Sequence, residues 1–157
     1  MSKYLATVRW DRGEQPFVDN KYSRSHLWEF DGGITVPASA SPQVVPPPLS
    51  DAANVDPEEA FVAALSSCHM LFFLSVAAKQ GYIVDDYTDK AVGTMENDDS
   101  GKISMTRVVL QPKAIFSGKQ PSLAELKILH HEAHELCFIA NSVKSEVFIE
   151  VIAWRLK

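Results

Sequence analysis

The run AFVAALSSCHMLFFLSVAA, Ala60 to Ala78, holds 19 residues without one Asp, Glu, Lys or Arg. No other stretch constrains the fold of this chain as strongly. Its length approaches that of a bilayer span. However, it carries Ser66, Ser67, His69 and Ser75, five of its residues are alanine, and nothing like a second span exists. Polar groups at the middle of a bilayer are costly. The run is therefore read as a helix buried on nearly all sides inside a protein, and no membrane partner is expected.

Local punctuation marks the ends of that helix. Asp56 is a good N-cap, Pro57 suits the first helical position, and Glu59 completes a capping-box pattern. Gly81 supplies the stop. The helix is expected over Pro57 to Gln80.

Before it, KYLATVRW and SRSHLWEFDGG read as two strands, the second ending at Gly32–Gly33. Residues 36–53 hold five prolines, a density that forbids regular structure and predicts a long, stiff connection. After it, DKAVGTMEN and KISMTRVVLQPKAIF read as a hairpin around DDSG. A second helix opens at Ser122, with Glu125 as its capping-box partner, and runs to about Leu136. CFIANSVK reads as a further short turn, and SEVFIEVIAWRLK closes the chain as a strand. The order is α+β: mostly antiparallel strands around one long, very apolar helix.

The 157 residues suit a single domain, spanning 1–157. The net charge of −5, with no Lys/Arg-rich stripe, argues against nucleic acid as a partner. MSKYLATVRW lacks the apolar core of a secretory signal. Two cysteines are too few for a secreted disulfide scaffold. A cytoplasmic protein is expected.

Each cysteine has a plain reading as a small buried hydrophobe. A working thiol needs its thiolate favoured. Cys68 lies about 15 Å inside its helix, too deep for the N-terminal dipole to help. A side-chain cation is needed instead, and arginine stays charged even in an apolar pocket. Arg9, Arg12, Arg24 and Arg107 are the candidates, with Glu58 and Glu59 available to hold a buried guanidinium.

DPEEAFVAALSSCHM resembles the NPE…A…C helix of the osmotically inducible protein C / organic hydroperoxide resistance (OsmC/Ohr) family. LHHEAHELCFIANSVK resembles that family's second cysteine segment, and the likeness runs from about Tyr4 to Leu156. The resemblance implies an OsmC-like fold and an intertwined homodimeric, cysteine-based peroxidase with no metal or organic cofactor. It implies that Cys68 is the peroxidatic thiol and Cys137 the resolving one. It also implies that Glu58 pairs with an arginine that activates Cys68. Arg24 in YSRSHLWEF is the choice, with Arg9 and Arg12 still open. Two features depart from the family: Phe138 follows the second cysteine where many members have proline, and the proline-rich stretch reads as an insertion ahead of Glu58.

HHEAH places His130 and His134 at i, i+4, where both can face one metal, with Cys137 three residues on. The order is not that of zinc proteases, so a packed or solvated helix face is the expectation. His69 points about 100° away from Cys68 on the helix and is expected to pack rather than act as its base. Trp28, Phe30, Phe61, Phe72, Phe73 and Phe138 read as core, a few lining a pocket near Cys68. The function expected is reduction of organic hydroperoxides to alcohols, with an external dithiol as reductant. The rival is a redox-sensing or small-molecule-binding protein with little turnover.

Overall fold

The computed structural model describes residues 1–152. Two compact units divide the chain, Met1–Ala60 and Phe61 onward. The architecture is α+β.

The first unit is built on an antiparallel sheet of β1 (Ala6–Arg9), β2 (His26–Phe30) and β3 (Thr35–Ala38), in that order. Gly33, at φ +87°, turns β2 into β3. β3 corrects one expectation, because it lies inside the proline-rich stretch and contains Pro37. Its position explains the tolerance. Pro37 faces Leu27 of β2, but its carbonyl accepts from Val55 N–H at 3.1 Å on the opposite side. The amide nitrogen of a strand residue points the same way as its carbonyl, so the missing donor removes no bond to β2. Val55 then bridges Ala38 in parallel, and Ser39 N–H donates to Val55 at 3.0 Å. The proline-rich segment is thus a closed loop returning to the strand it left.

Helix α1 (Pro57–Lys79) opens as expected. Glu59 N–H donates to Asp56 Oδ1 at 2.7 Å, and Asp56 N–H reaches Glu59 Oε2 at 3.5 Å. It ends in a Schellman arrangement: Gly81 stands at φ +78°, its N–H bonds Ala78, and Tyr82 N–H bonds Ala77.

From Phe61 onward, β4 (Ile83–Asp89) pairs antiparallel with β7 (Pro112–Ser117). β5 (Val92–Asn97) and β6 (Ile103–Leu110) form the expected hairpin, its turn held by Asp98 Oδ1 accepting the N–H groups of Ser100 and Lys102. β8 (Glu146–Ile149) joins β6 in parallel. The single strand expected from Lys102 to Phe116 is two strands on two sheets, divided at Gln111. The closing strand is real at β8, and Ile152 N–H still bonds Pro112 at 3.1 Å; its expected continuation lies outside the described residues. Helix α2 (Leu123–Leu136) carries the expected capping box of Ser122 and Glu125, and a 3₁₀ turn follows at Ala140–Ser142.

Two buried clusters meet α1 in this unit. Leu65 packs with Val108 and Leu110 of β6. Phe73, Val76 and Ala77 pack with Ala114 of β7 and with Leu126, Leu129 and Ala133 of α2. At 25 cal/mol per Å² of apolar area, burying each large side chain of this kind contributes roughly 1.5–3 kcal/mol. Cys68 falls between the two clusters along the helix. Gly93 of β5 lets α1 approach closely: a Cβ there would stand 2.6 Å from both Val62 Cγ2 and Met105 Sδ. The hydroxyl of Ser66 meets Asp89 Oδ2, while Asp89 Oδ1 accepts Gln111 N–H at 2.6 Å. One carboxylate thereby ties α1 to the point where β6 gives way to β7.

Candidate active site

Cys68 is half-buried on α1 and lines a cavity of about 440 Å³. Ala64, Leu71, Phe72, Phe138 and Ile139 make its apolar walls, and Ser67 and Ser75 add hydroxyls. Phe72 and Phe138 meet edge to face with centroids 4.9 Å apart. These two aromatics are the pocket residues among those expected to be core. Phe73 is core, and Phe30 is exposed rather than buried.

Cys137 caps the C-terminal end of α2 and is buried, with 1% of its surface exposed. Its thiol neighbours the Cys68 thiol. Both cysteines are free. Burial pushes the Cys137 thiol up to about 11; the Ala140 N–H, which donates to its sulfur at 3.4 Å, works against that shift, and neighbouring Cys68 adds to it. The fold therefore joins two of the expected site residues, one facing the cavity and one behind it.

Arg24 belongs to the first unit. Its Nη1 donates to the carbonyls of Asn20, at 3.1 Å, and Tyr22; its Nη2 donates to Asn20 Oδ1 at 2.7 Å. The guanidinium carbon stands 3.8 Å over the Tyr22 ring. Arg9 pairs with Glu29 at 3.4 Å, and Arg12 bonds the Gln15 carbonyl. Arg107 of β6 lies over the Phe148 ring. Glu58 is half-buried in the first turn of α1.

Sequence reasoning missed how the histidines are used. His69 and His130 are both buried, with rings stacked at 9° and His69 Nε2 2.9 Å from His130 Nδ1. Phe73 stacks on the other side of His130 at 4.2 Å. Burial pulls His69 down to about 4, helped by His134, and pulls His130 down to about 3, helped by His69. Both rings are neutral at pH 7. His130 thus faces α1 and the core. The available signal was spacing: His130, His134 and Cys137 recur at i, i+4, i+7 along one face of the second helix.

The profile described as OsmC-like protein matches residues 50–152. No curated protein matches the chain. Among solved structures, an OsmC-like protein of unknown function from Vibrio cholerae is 61% identical, with 97% of this chain and 100% of that one covered and a TM-score of 0.95. An organic hydroperoxide resistance protein from Elizabethkingia anophelis is 16% identical, covering 96% and 94% of the two chains at a TM-score of 0.70. The organic hydroperoxide resistance protein OhrB of Bacillus subtilis is 18% identical, covering 96% of each chain at a TM-score of 0.64. At such identities the last two share the fold.

Proposed function

This chain belongs to the OsmC-like family, and from that premise we propose that it is a cysteine-based peroxidase that reduces organic hydroperoxides to alcohols. One observation carries the reading: a half-buried thiol opens on an apolar cavity while a second, buried thiol stands within reach behind it. A core cysteine needs neither arrangement.

The steps balance as follows. The Cys68 thiolate attacks the outer oxygen of the hydroperoxide; the O–O bond breaks and the alkoxide leaves, taking a proton to become the alcohol. Cys68 is oxidised to a sulfenic acid. Cys137 loses its proton to solvent and attacks that sulfur as the thiolate; the S–S bond forms, the S–O bond breaks, and the hydroxide leaves with the electron pair and takes up a proton from solvent to become water. An external dithiol, such as a dihydrolipoyl group, then reduces the disulfide by exchange. The cavity walls of Leu71, Phe72, Phe138 and Ile139 favour an alkyl or aryl group over a bare hydrogen peroxide molecule.

Arg24 is proposed to favour the Cys68 thiolate and to stabilise charge on the leaving oxygen, with Glu58 orienting it. Among the described residues, three of the five guanidinium N–H donors are engaged, on Asn20 and Tyr22. Those local bonds hold the guanidinium in a fixed pose. The working form is proposed to be a cytoplasmic homodimer.

Steady-state consumption of cumene hydroperoxide with dihydrolipoamide tests the reading. Sustained turnover that disappears in Cys68→Ser supports it. Oxidation of one equivalent followed by arrest, with dithiol in excess, would make the chain a redox sensor instead.

A further inference from the structure

Contacts between α1 and α2 run in opposite directions along the two helices. Cys68 meets Cys137, and five residues further along α1 Phe73 meets His130, seven residues back along α2. Between these contacts, a hydrogen bond joins the buried rings of His69 and His130. It places a direction-dependent contact one residue from Cys68 and two turns from Cys137.

The bond is costly to keep. Two neutral imidazoles sharing one hydrogen bond use one N–H and one lone pair. His69 Nδ1 and His130 Nε2 are buried and find no partner among the described residues. In either tautomer, one of these two nitrogens carries an unsatisfied N–H, a penalty of roughly 1–3 kcal/mol. A leucine pair would fill the same space without it. A packing role alone gives no reason for two histidines here.

We propose that the His69–His130 bond is a register pin: these are positioning residues that hold α1 against α2 so that the Cys137 thiol meets the Cys68 sulfur. Apolar packing, such as that of the buried cluster to which Phe73 and Ala133 both belong, is non-directional and tolerates a small slide of one helix along the other. A 2.9 Å bond between ring nitrogens does not. The two thiols react only along the line of the breaking bond, so a small slide slows their reaction strongly. The inference rests on reading Cys68 and Cys137 as a working pair, but not on what oxidises Cys68.

An aromatic disulfide, dithiobisnitrobenzoate, separates the two questions. Accessible Cys68 forms a mixed disulfide and releases one aryl thiolate. Cys137 then attacks the Cys68 sulfur: the Cys68–Cys137 bond forms, the bond to the aryl sulfur breaks, the second aryl thiolate leaves with the electron pair, and the Cys137 proton goes to solvent. The first release reads access to Cys68; the second reads the register. Gln at position 69 places an amide where Nε2 stood, whereas Asn falls a methylene short; at position 130, Asn mimics Nδ1 and Gln does not. All four variants are polar and of similar size, so folding differs little among them, and thermal melts check this.

His69→Asn and His130→Gln are expected to slow the second release by about tenfold to a hundredfold, with the first release unchanged. His69→Gln and His130→Asn are expected to recover most of the wild-type rate. Equal second-release rates across all four variants and the wild type would overturn the proposal, as would a wild type that releases a single aryl thiolate. Failure of the chain to turn over cumene hydroperoxide, with the second release still set by positions 69 and 130, would sink the peroxidase reading and leave the pin standing.

Discussion

The Cys68 and Cys137 thiols are neighbours although the two cysteines sit 69 residues apart in the chain, one within α1 and the other at the end of α2. One is half-exposed to a cavity and the other is buried, so they are chemically unequal. Burial holds Cys137 as a neutral thiol, at about 11. The thiolate is the nucleophile, so at neutral pH only a small fraction of Cys137 is ready to attack. Disulfide formation is expected to accelerate by about tenfold per pH unit between roughly pH 7 and 10. Stopped-flow mixing with one equivalent of hydroperoxide, followed by acid quench and mass spectrometry, gives this rate. A flat profile would mean that the Cys137 proton passes directly to the leaving hydroxyl. Cys137→Ser should stop at the sulfenic acid with one equivalent of hydroperoxide, and a second equivalent should over-oxidise it to sulfinic acid.

The buried imidazoles make a prediction about acid stability. An unfolded histidine titrates near 6.5, while the folded His69 and His130 stand at about 4 and about 3. Folded values below the unfolded one mean that the unfolded chain binds protons first. The stability from these rings is complete above about pH 6.5 and is lost as pH falls toward the folded values, at up to about 1.4 kcal/mol per pH unit for each ring. Urea midpoints at pH 7, 6 and 5 should therefore fall steadily. The double variant His69→Gln with His130→Asn should flatten that slope, and an unchanged slope would assign the acid sensitivity to other groups.

Gly93 is fixed by the approach of α1 to β5. The Cβ of an alanine would clash at 2.6 Å with both Val62 and Met105. Met105 is flexible, but Val62 is branched and held on the helix. Gly93→Ala is expected to destabilise by about 1–3 kcal/mol, seen as a lower denaturant midpoint with an unchanged m-value. A stabilised variant would show that the helix lifts freely from the sheet.

Asp89 anchors two segments at once, so its loss should exceed that of one ordinary hydrogen bond. Asp89→Ala leaves the Gln111 N–H without its 2.6 Å acceptor and frees the Ser66 hydroxyl. A loss of about 2–3 kcal/mol is expected, against about 1 kcal/mol for Ser66→Ala. Equal losses in the two variants would show that the Gln111 bond contributes nothing.

What was legible in the sequence was local. Asp56 with Glu59, and Ser122 with Glu125, announce both helix starts within four residues, and both boxes form. β4 was illegible because a bulge between Val84 and Asp86 breaks its alternation. Val84 and Tyr87, three apart, consequently both pack on the cluster around Phe73. The β6–β7 division was overlooked between the apolar runs Val108–Leu110 and Ala114–Phe116, although Gln111 and Pro112 mark it. In the site, the cysteines stood out by type, and the fold makes their thiols neighbours. The His69–His130 stack depends on how two helices cross, which no local pattern encodes. The Arg24 bonds depend on Asn20 holding φ +61°, an uncommon conformation that the residue's identity permits but does not announce.

The last prediction concerns a second copy of the chain. α1 is one unbroken helix, so the ten residues from Glu58 to Cys68 span about 15 Å and their side chains point about 80° apart. A single helix does not bring that carboxylate to its own Cys68. The helix is also undercovered: 28% of its most apolar stretch is buried by the chain itself, and Leu71, three residues from Cys68, is 61% exposed. An apolar helix left open in this way needs a partner surface, and a second copy offers the same face by symmetry. If the partner's first turn supplies the glutamate, each site is shared between chains. Cys68→Ser chains and Glu58→Ala chains, each impaired alone, should then complement when unfolded together and refolded as a mixture. A mixed dimer holds one site in which an intact Cys68 meets an intact Glu58. Activity above the average of the two parents, in mixed dimers isolated by differential tags, is the expected result. Mixed dimers with no recovered activity would show that each chain builds its site alone, and Glu58 would lose its proposed role.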